Sequence, residues 1–332
     1  MFSGRHTLVV LNPSSGRADA DRVATEIEGA LADAGAARVV VRRTAAIDDA
    51  TRWAQTAAEE GFDAIVAVGG DGTVTAVATG VLRSGSDMPI GIVARGTGNG
   101  LAQALRLPSE PRQAVRALAA GHAVAFDAIE ILSHDRWSLL FLGAGLDAEI
   151  NRDADARHKR RFGFLAYVGA ALRNLARRRN RRVALTIDGE ARVVAAHTVT
   201  VINSGVVRLG AVDVGPPSDP HDGRLDVALF RSTHPLAALA QVLRLVGGRP
   251  GPAELLHAAH VRVEAHPPLL VHVDGDVVGP TPFEARIRPG AVKLIAHGDY
   301  PAPAGGGGRR PQRPEAAADR GRGGAAAPRS AA

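Results

Sequence analysis

Residues 62–82 read FDAIVAVGGDGTVTAVATGVL. Phe62 to Val68 is a short apolar run with the character of a buried strand. Gly69-Gly70-Asp71-Gly72-Thr73 follows as a glycine loop holding one carboxylate, and Val74 to Leu82 has the Ala, Val and Leu content of a helix. A glycine turn between a strand and a helix N-terminus is a ready anion site. Backbone N–H groups point outward there, the helix dipole favours negative charge, and glycine lets the chain approach a phosphate closely. Asp71 would repel a bare phosphate, so its presence points to Mg²⁺, held directly or through water.

A lone glycine pair reads equally as an ordinary βα turn. Here the pattern recurs. Pro89 to Ala94 is a second buried strand, Arg95-Gly96-Thr97-Gly98-Asn99-Gly100 a second glycine loop, and Leu101 to Leu105 opens another helix. Two such loops at the same ends of successive strands can face one ligand across a crevice.

Outward from this centre, His6 to Leu11 reads as a strand, and Asn12-Pro13-Ser14-Ser15-Gly16 as a turn-forming loop. A helix spans about Asp19 to Ala34, with Val23, Ile27 and Leu31 on one face. A strand at Arg38 to Arg42, a helix at Asp48 to Glu59 and another at Pro111 to Ala120 complete an α/β first domain, residues 1–124, with a mostly parallel sheet. Ligands of such sheets bind beyond the C-terminal strand ends, where Asn12, Thr44 and both glycine loops fall.

The grammar then changes. Strand-like runs at Phe126–Leu132, Trp137–Leu142, Val183–Ile187, Val193–Ile202, Leu225–Phe230, Val261–Glu264, Leu269–Val273, Phe283–Ile287 and Ala291–Ile295 predict a mainly antiparallel β-sandwich over residues 125–300. Helices interrupt it at about Phe162–Arg177 and Leu236–Leu245, and residues 301–332 read as a disordered tail.

The chain has 332 residues, enough for about two domains, and no Cys, which excludes disulfides and thiol chemistry. No stretch of about 18 apolar residues could span a membrane, and the N-terminus lacks a signal-peptide pattern, so a cytoplasmic protein is expected. Net charge is +6, carried almost wholly by Arg, with aromatics at only 4%, which argues against a nucleic-acid stacking platform. Arg157 to Arg182 combines an apolar stripe (Phe164, Leu165, Val168, Leu172, Leu175) with many Arg, a pattern suited to peripheral contact with an anionic inner membrane face, although a core-packed helix with a solvated basic end has the same signature and a basic cluster can also bind nucleic acid.

Six separated motifs together resemble the diacylglycerol kinase catalytic-domain family, which includes bacterial lipid kinases and sphingosine kinases. They are Asn12-Pro13-Ser14-Ser15-Gly16, the Gly69–Thr73 loop, the Gly96–Asn99 loop, Gly143-Ala144-Gly145-Leu146-Asp147-Ala148, Asp222-Gly223-Arg224-Leu225-Asp226-Val227 and Asp274-Gly275-Asp276. The resemblance implies ATP-dependent phosphorylation of a lipid hydroxyl such as that of diacylglycerol, with Mg²⁺. It implies ATP contacts from Asn12, Thr44, Gly69, Gly70, Asp71, Gly72, Thr73, Gly96, Thr97, Gly98 and Asn99. By the same resemblance Asp71 organises the metal, Asp147 sits near the acceptor, and Asp276 is the general base. Asp219 and Asp222 resemble a structural metal site, with a plain hairpin turn as the alternative for Asp222-Gly223.

Three departures from the family pattern stand out. Thr75-Ala76 replaces an Asn-Glu pair, Gly100 replaces an Asp, and Asp276 replaces a Glu, one methylene longer. These leave a catalytically weak nucleotide- or lipid-binding regulator as an alternative, and the glycine-Asp loop with a β-rich second domain leaves a soluble NAD kinase-like enzyme as another. Oligomeric state is open and a homodimer is compatible with the sequence.

Overall fold

The computed structural model describes residues 1–16, 19–145, 180–204, 208–209, 212–213, 218–231 and 254–301. Strands β1 (His6–Leu11), β2 (Arg38–Arg43), β3 (Ala64–Gly69) and β4 (Ile90–Ala94) pair in parallel in the order β2-β1-β3-β4. Every residue of β3 and β4 is buried, as continuous apolar strands covered on both faces require. Helices α1 (Ala20–Asp33), α2 (Asp49–Thr56), α3 (Asp71–Ser84), α4 (Gly100–Ala104) and α5 (Pro111–Ala120) fill the connections. α1 buries the stripe Val23, Ile27 and Leu31, and the Asp19 side chain accepts Asp21 N–H at its start. α5 begins with Pro111, and the Glu110 carboxylate accepts the N–H groups of Arg112 and Gln113.

The remaining strands are β5 (His122–Ile131), β6 (Arg136–Ser138), β7 (Phe141–Gly145), β8 (Arg181–Ile187), β9 (Glu190–Ala196), β10 (Thr198–Ile202), β11 (Arg208–Leu209), β12 (Val212–Asp213), β13 (Leu225–Phe230), β14 (Glu254–Ala258), β15 (His260–His266), β16 (Leu270–Val273), β17 (Asp276–Pro280) and β18 (Phe283–Ala296). Among the described residues, one antiparallel sheet has the order β14-β13-β10-β7-β16-β17. β11 and β12 form a two-stranded sheet of their own, and the remaining antiparallel strands are continuous with the parallel sheet. β18 lies parallel to β4 through Leu294 and Ile90, and the order continues through β15, β8 and β9. Ile129, Leu185, Val263 and Phe283 from this sheet pack with Leu142, Val201, Val227 and Val271 from the other, forming the sandwich core. The architecture is therefore an α/β layer with a mostly parallel sheet, followed by an antiparallel β-sandwich.

Several boundaries differ from the sequence reading, each for a local reason. α3 begins at Asp71 rather than Val74, because Gly70, in extended backbone, serves as its N-cap and draws the carboxylate into the first turn. Val193 to Ile202 is two strands in different sheets, β9 and β10, broken at His197, because the apolar run Val193 to Ala196 and the alternating run Thr198 to Ile202 abut with no Gly or Pro between them. Trp137 to Leu142 likewise divides into β6 and β7. The runs at 283–287 and 291–295 are one long strand, β18, with a bulge between Arg288 and Val292. β11, β12, β14 and β17 are additions, and β5 begins at His122, so residue 124 lies inside a strand. The predicted helices at 162–177 and 236–245, and the tail from 302, lie outside the described residues. Among the described residues no helix is long and apolar enough to cross a membrane.

Candidate active site

Parallel strands leave their C-terminal ends on one side, and a cleft of about 580 Å³ opens there. Asn12 reaches it from the end of β1, Thr44 from the end of β2, and Gly70, Gly72 and Thr73 from the β3–α3 junction. The opposite wall is His134 to Trp137, Val273, Asp274 and Asp276. The cleft thus gathers residues far apart in sequence, among them Asn12, Thr44, Gly70, Gly72 and Thr73 of those predicted for ATP contact, while Gly69, Gly96 and Asn99 stay out of its lining.

Hydrogen bonds fix these positions. Asn12 Oδ1 accepts Ser14 N–H at 3.0 Å and Ser14 Oγ–H at 2.7 Å, and Asn12 Nδ2 donates to Thr73 Oγ1 at 3.3 Å. The first loop is thereby tied to the helix carrying the second motif. The Asp49 carboxylate accepts N–H from Ala45 and Ala46, both at 2.8 Å, and pairs with Arg52. Those two N–H groups, first of all causes, hold its pKa below the ordinary carboxylate value. They also shape the loop that places Thr44 and Ile47 in the cleft.

The two glycine loops touch each other. A Cβ on Gly96 would fall 2.7 Å from Gly70 Cα and 2.8 Å from Asn99 Oδ1, so no larger residue fits without displacing the loops. Asn99, at φ 55, accepts Gly96 N–H at 2.7 Å and donates to Gly96 O at 2.8 Å, closing the second loop on itself. Asp71 does not line the cleft. Its Oδ2 accepts Gly100 N–H and its Oδ1 accepts Leu101 N–H, each at 3.0 Å. The carboxylate predicted as metal organiser is also the strut between the loops, and Gly100, one of the departures, supplies an N–H there. Thr97 and Gly98 are exposed beside the cleft rather than in its lining.

On the opposite wall Asp274 and Gly275, at φ 48 and 96, form the two-residue turn between β16 and β17. Asp274 Oδ1 accepts the Ser138 hydroxyl at 2.6 Å and Phe141 N–H at 3.2 Å, while Oδ2 accepts the Thr75 hydroxyl at 2.9 Å. Burial pushes its pKa up to about 6, against the pull of these donors, and nearby Asp71 adds to the rise. Asp276, the predicted base, is exposed at the start of β17 and lines the cleft. The motif points to Asp276 and not to Asp274, although the Asp274-Gly275 dipeptide between apolar runs is a signal for the turn. Trp137, Ile47 and Asp48 are further lining residues without a sequence signal.

Asp147 lies outside the described residues. Asp219 and Asp222 do not line the cleft. Asp219 Oδ1 accepts His221 N–H at 3.1 Å and Asp222 Oδ1 accepts Arg224 N–H at 2.8 Å, as turn-forming carboxylates do. Among the described residues no group of three or more His, Cys, Asp or Glu converges to hold a metal. Mg²⁺ needs only one or two carboxylates when substrate phosphates supply the rest. Asp71 keeps unused lone pairs beyond its two N–H bonds, so the oxygen donors present fit a magnesium ion that arrives with a nucleotide.

Comparison with known proteins agrees with this geometry. Residues 6–131 match the family model of the diacylglycerol kinase catalytic domain, and residues 141–296 match that of the YegS C-terminal NAD kinase beta sandwich-like domain. The chain is 30% identical over 248 residues to an uncharacterized protein of Synechocystis, covering 71% of this chain but only 55% of that relative. It is 29% identical over 254 residues to a diacylglycerol kinase of Mycobacterium tuberculosis, covering 74% of this chain and 81% of the relative. A crystal structure of a diacylglycerol kinase from Bacillus anthracis superposes with a TM-score of 0.75 at 25% identity, over 88% of this chain and 97% of that one. Through its motifs, its fold and both family models, the chain belongs to the diacylglycerol kinase catalytic-domain family.

Proposed function

We propose that this kinase-family protein transfers the γ-phosphate of ATP to the hydroxyl of a lipid, diacylglycerol or a related acceptor. The observation that supports this most is the meeting of Asn12, Thr44, Gly70, Gly72 and Thr73 with Asp276 across one cleft. The N-terminus of α3 carries the positive end of the helix dipole, so the N–H groups of its first residues, Asp71 and Gly72, suit phosphate oxygens. Asn12 and Thr44 would orient the nucleotide. Bound with ATP, Mg²⁺ would supply counter-charge to the phosphates, with Asp71 as its protein carboxylate. Asp276 would accept the proton of the acceptor hydroxyl at a carboxylate oxygen. The acceptor oxygen then bonds to the γ-phosphorus as the bond to the β,γ-bridging oxygen breaks, and ADP leaves with that electron pair. Such transfer rests chiefly on positioning and charge stabilisation, with the base contributing about 10²–10⁴-fold. Asp147 would stand near the acceptor, and the basic 157–182 segment would hold the protein at an anionic lipid surface.

Diacylglycerol, monoacylglycerol, sphingosine and ceramide, each in mixed micelles with Mg²⁺ and γ-labelled ATP, test this reading, with NAD as a soluble acceptor. One labelled lipid is the expected product. Label in NAD alone would replace the reading with a soluble kinase, and ATP binding without transfer to any acceptor would replace it with a nucleotide-binding regulator.

A further inference from the structure

Thr75 is a position at which the chain departs from the family pattern, and it makes a contact that spans the cleft. It lies on α3, whose N-terminus faces the cleft beside the first glycine loop. Its hydroxyl donates to Asp274 Oδ2 at 2.9 Å, across 199 positions of sequence. The other oxygen of the same carboxylate is held by Ser138 Oγ–H at 2.6 Å and Phe141 N–H at 3.2 Å, both from the sandwich half. Asp274 N–H in turn donates to Phe141 O at 3.0 Å. One carboxylate therefore binds a donor from each wall, and the tight turn that contains it leads directly to Asp276.

We propose that Thr75, Asp274 and Ser138 form a positioning bridge that sets the distance between the phosphate-facing wall and Asp276. This rests on the kinase reading above. Asp276 is one methylene shorter than the residue it replaces, so its reach depends more on where its strand is anchored. A misplacement of about 1 Å at a reacting group can cost about 100-fold in rate. Thr75→Val keeps the shape of the side chain and removes the donor. Thr75→Ser keeps the donor and removes a methyl group.

The test measures kcat, acceptor KM and ATP Kd for both variants and for Ser138→Ala, using the lipid that the wild type labels best. The bridge predicts that Thr75→Val lowers kcat about 10- to 100-fold with ATP Kd within about twofold, and that Thr75→Ser recovers most of the loss. Wild-type kcat in Thr75→Val overturns it, as does a loss seen in ATP Kd alone. The bridge is also read without turnover, from urea midpoints of Thr75→Val, Ser138→Ala and the double variant. Because both hydroxyls act on one carboxylate, their effects must be non-additive; additive midpoints overturn the bridge. A wild type that labels no lipid would sink the kinase reading and leave the bridge to this second measurement.

Discussion

Gly70 and Gly96 meet backbone to backbone, and a Cβ on Gly96 would come within 2.7 Å of Gly70 Cα. The two phosphate-side loops are therefore one packed unit rather than two independent turns. Gly96→Ala must push them apart. The predicted outcome is a loss of about 1–3 kcal/mol in stability, typical of overpacking, together with weakened ATP binding. Urea unfolding and calorimetric titration with ATP check the two parts separately.

Asp71 joins the same unit by accepting Gly100 and Leu101 N–H groups. Asp71→Asn keeps one acceptor and sets an NH₂ against the other N–H. It is predicted to cost about 0.5–2 kcal/mol, the range for a lost helix cap, besides abolishing phosphoryl transfer. Thermal and urea unfolding read the first effect. A variant as stable as wild type would show that the strut carries no load.

Asp49 acts one step away from the cleft. Its carboxylate accepts Ala45 and Ala46 N–H groups, and Thr44 and Ile47 are positioned by that loop. Asp49→Ala is predicted to raise the KM for ATP about tenfold, equivalent to roughly 1.4 kcal/mol, with a smaller change in kcat. Steady-state kinetics at varied ATP decides it.

Asp274 gives the protein a defined pH dependence. Its folded pKa of about 6 lies above the ordinary 3.8, so the folded state holds this proton more tightly than the unfolded chain. The resulting stabilisation is full below about pH 4 and is lost as pH rises through 6, by at most about 3 kcal/mol. Asp127, raised by burial, acts in the same direction, and Asp49, lowered by its N–H partners, in the opposite one. The wild-type-minus-Asp274→Asn difference in melting temperature isolates the Asp274 contribution. It should fall between pH 4 and 7; a flat difference contradicts a raised carboxyl at this half-buried position.

Much of the first half was legible because its signals are local. The apolar run before Gly69 and the stripe Val23, Ile27, Leu31 fix a strand and a helix without reference to distant chain. The glycine loops marked the cleft for the same reason. β18 was not legible as the neighbour of β4, since the pairing of Leu294 with Ile90 depends on tertiary closure rather than on any local pattern. The division of Val193 to Ile202 between two sheets is hidden because two strand-like runs abut at His197 with no Gly or Pro to mark the break. Asp274 was passed over for a related reason: its donors, Thr75 and Ser138, sit in segments that say nothing about it until the chain is folded.

The central claim is that the cleft transfers phosphate to a lipid with Asp276 as base, and Asp276→Asn tests it most directly. The residue is exposed on the cleft wall, so the fold should survive the change. Initial rates of label transfer from γ-labelled ATP into the preferred lipid, measured beside ATP Kd, should fall about 10²–10⁴-fold with Kd unchanged. An undiminished rate in Asp276→Asn would contradict the account.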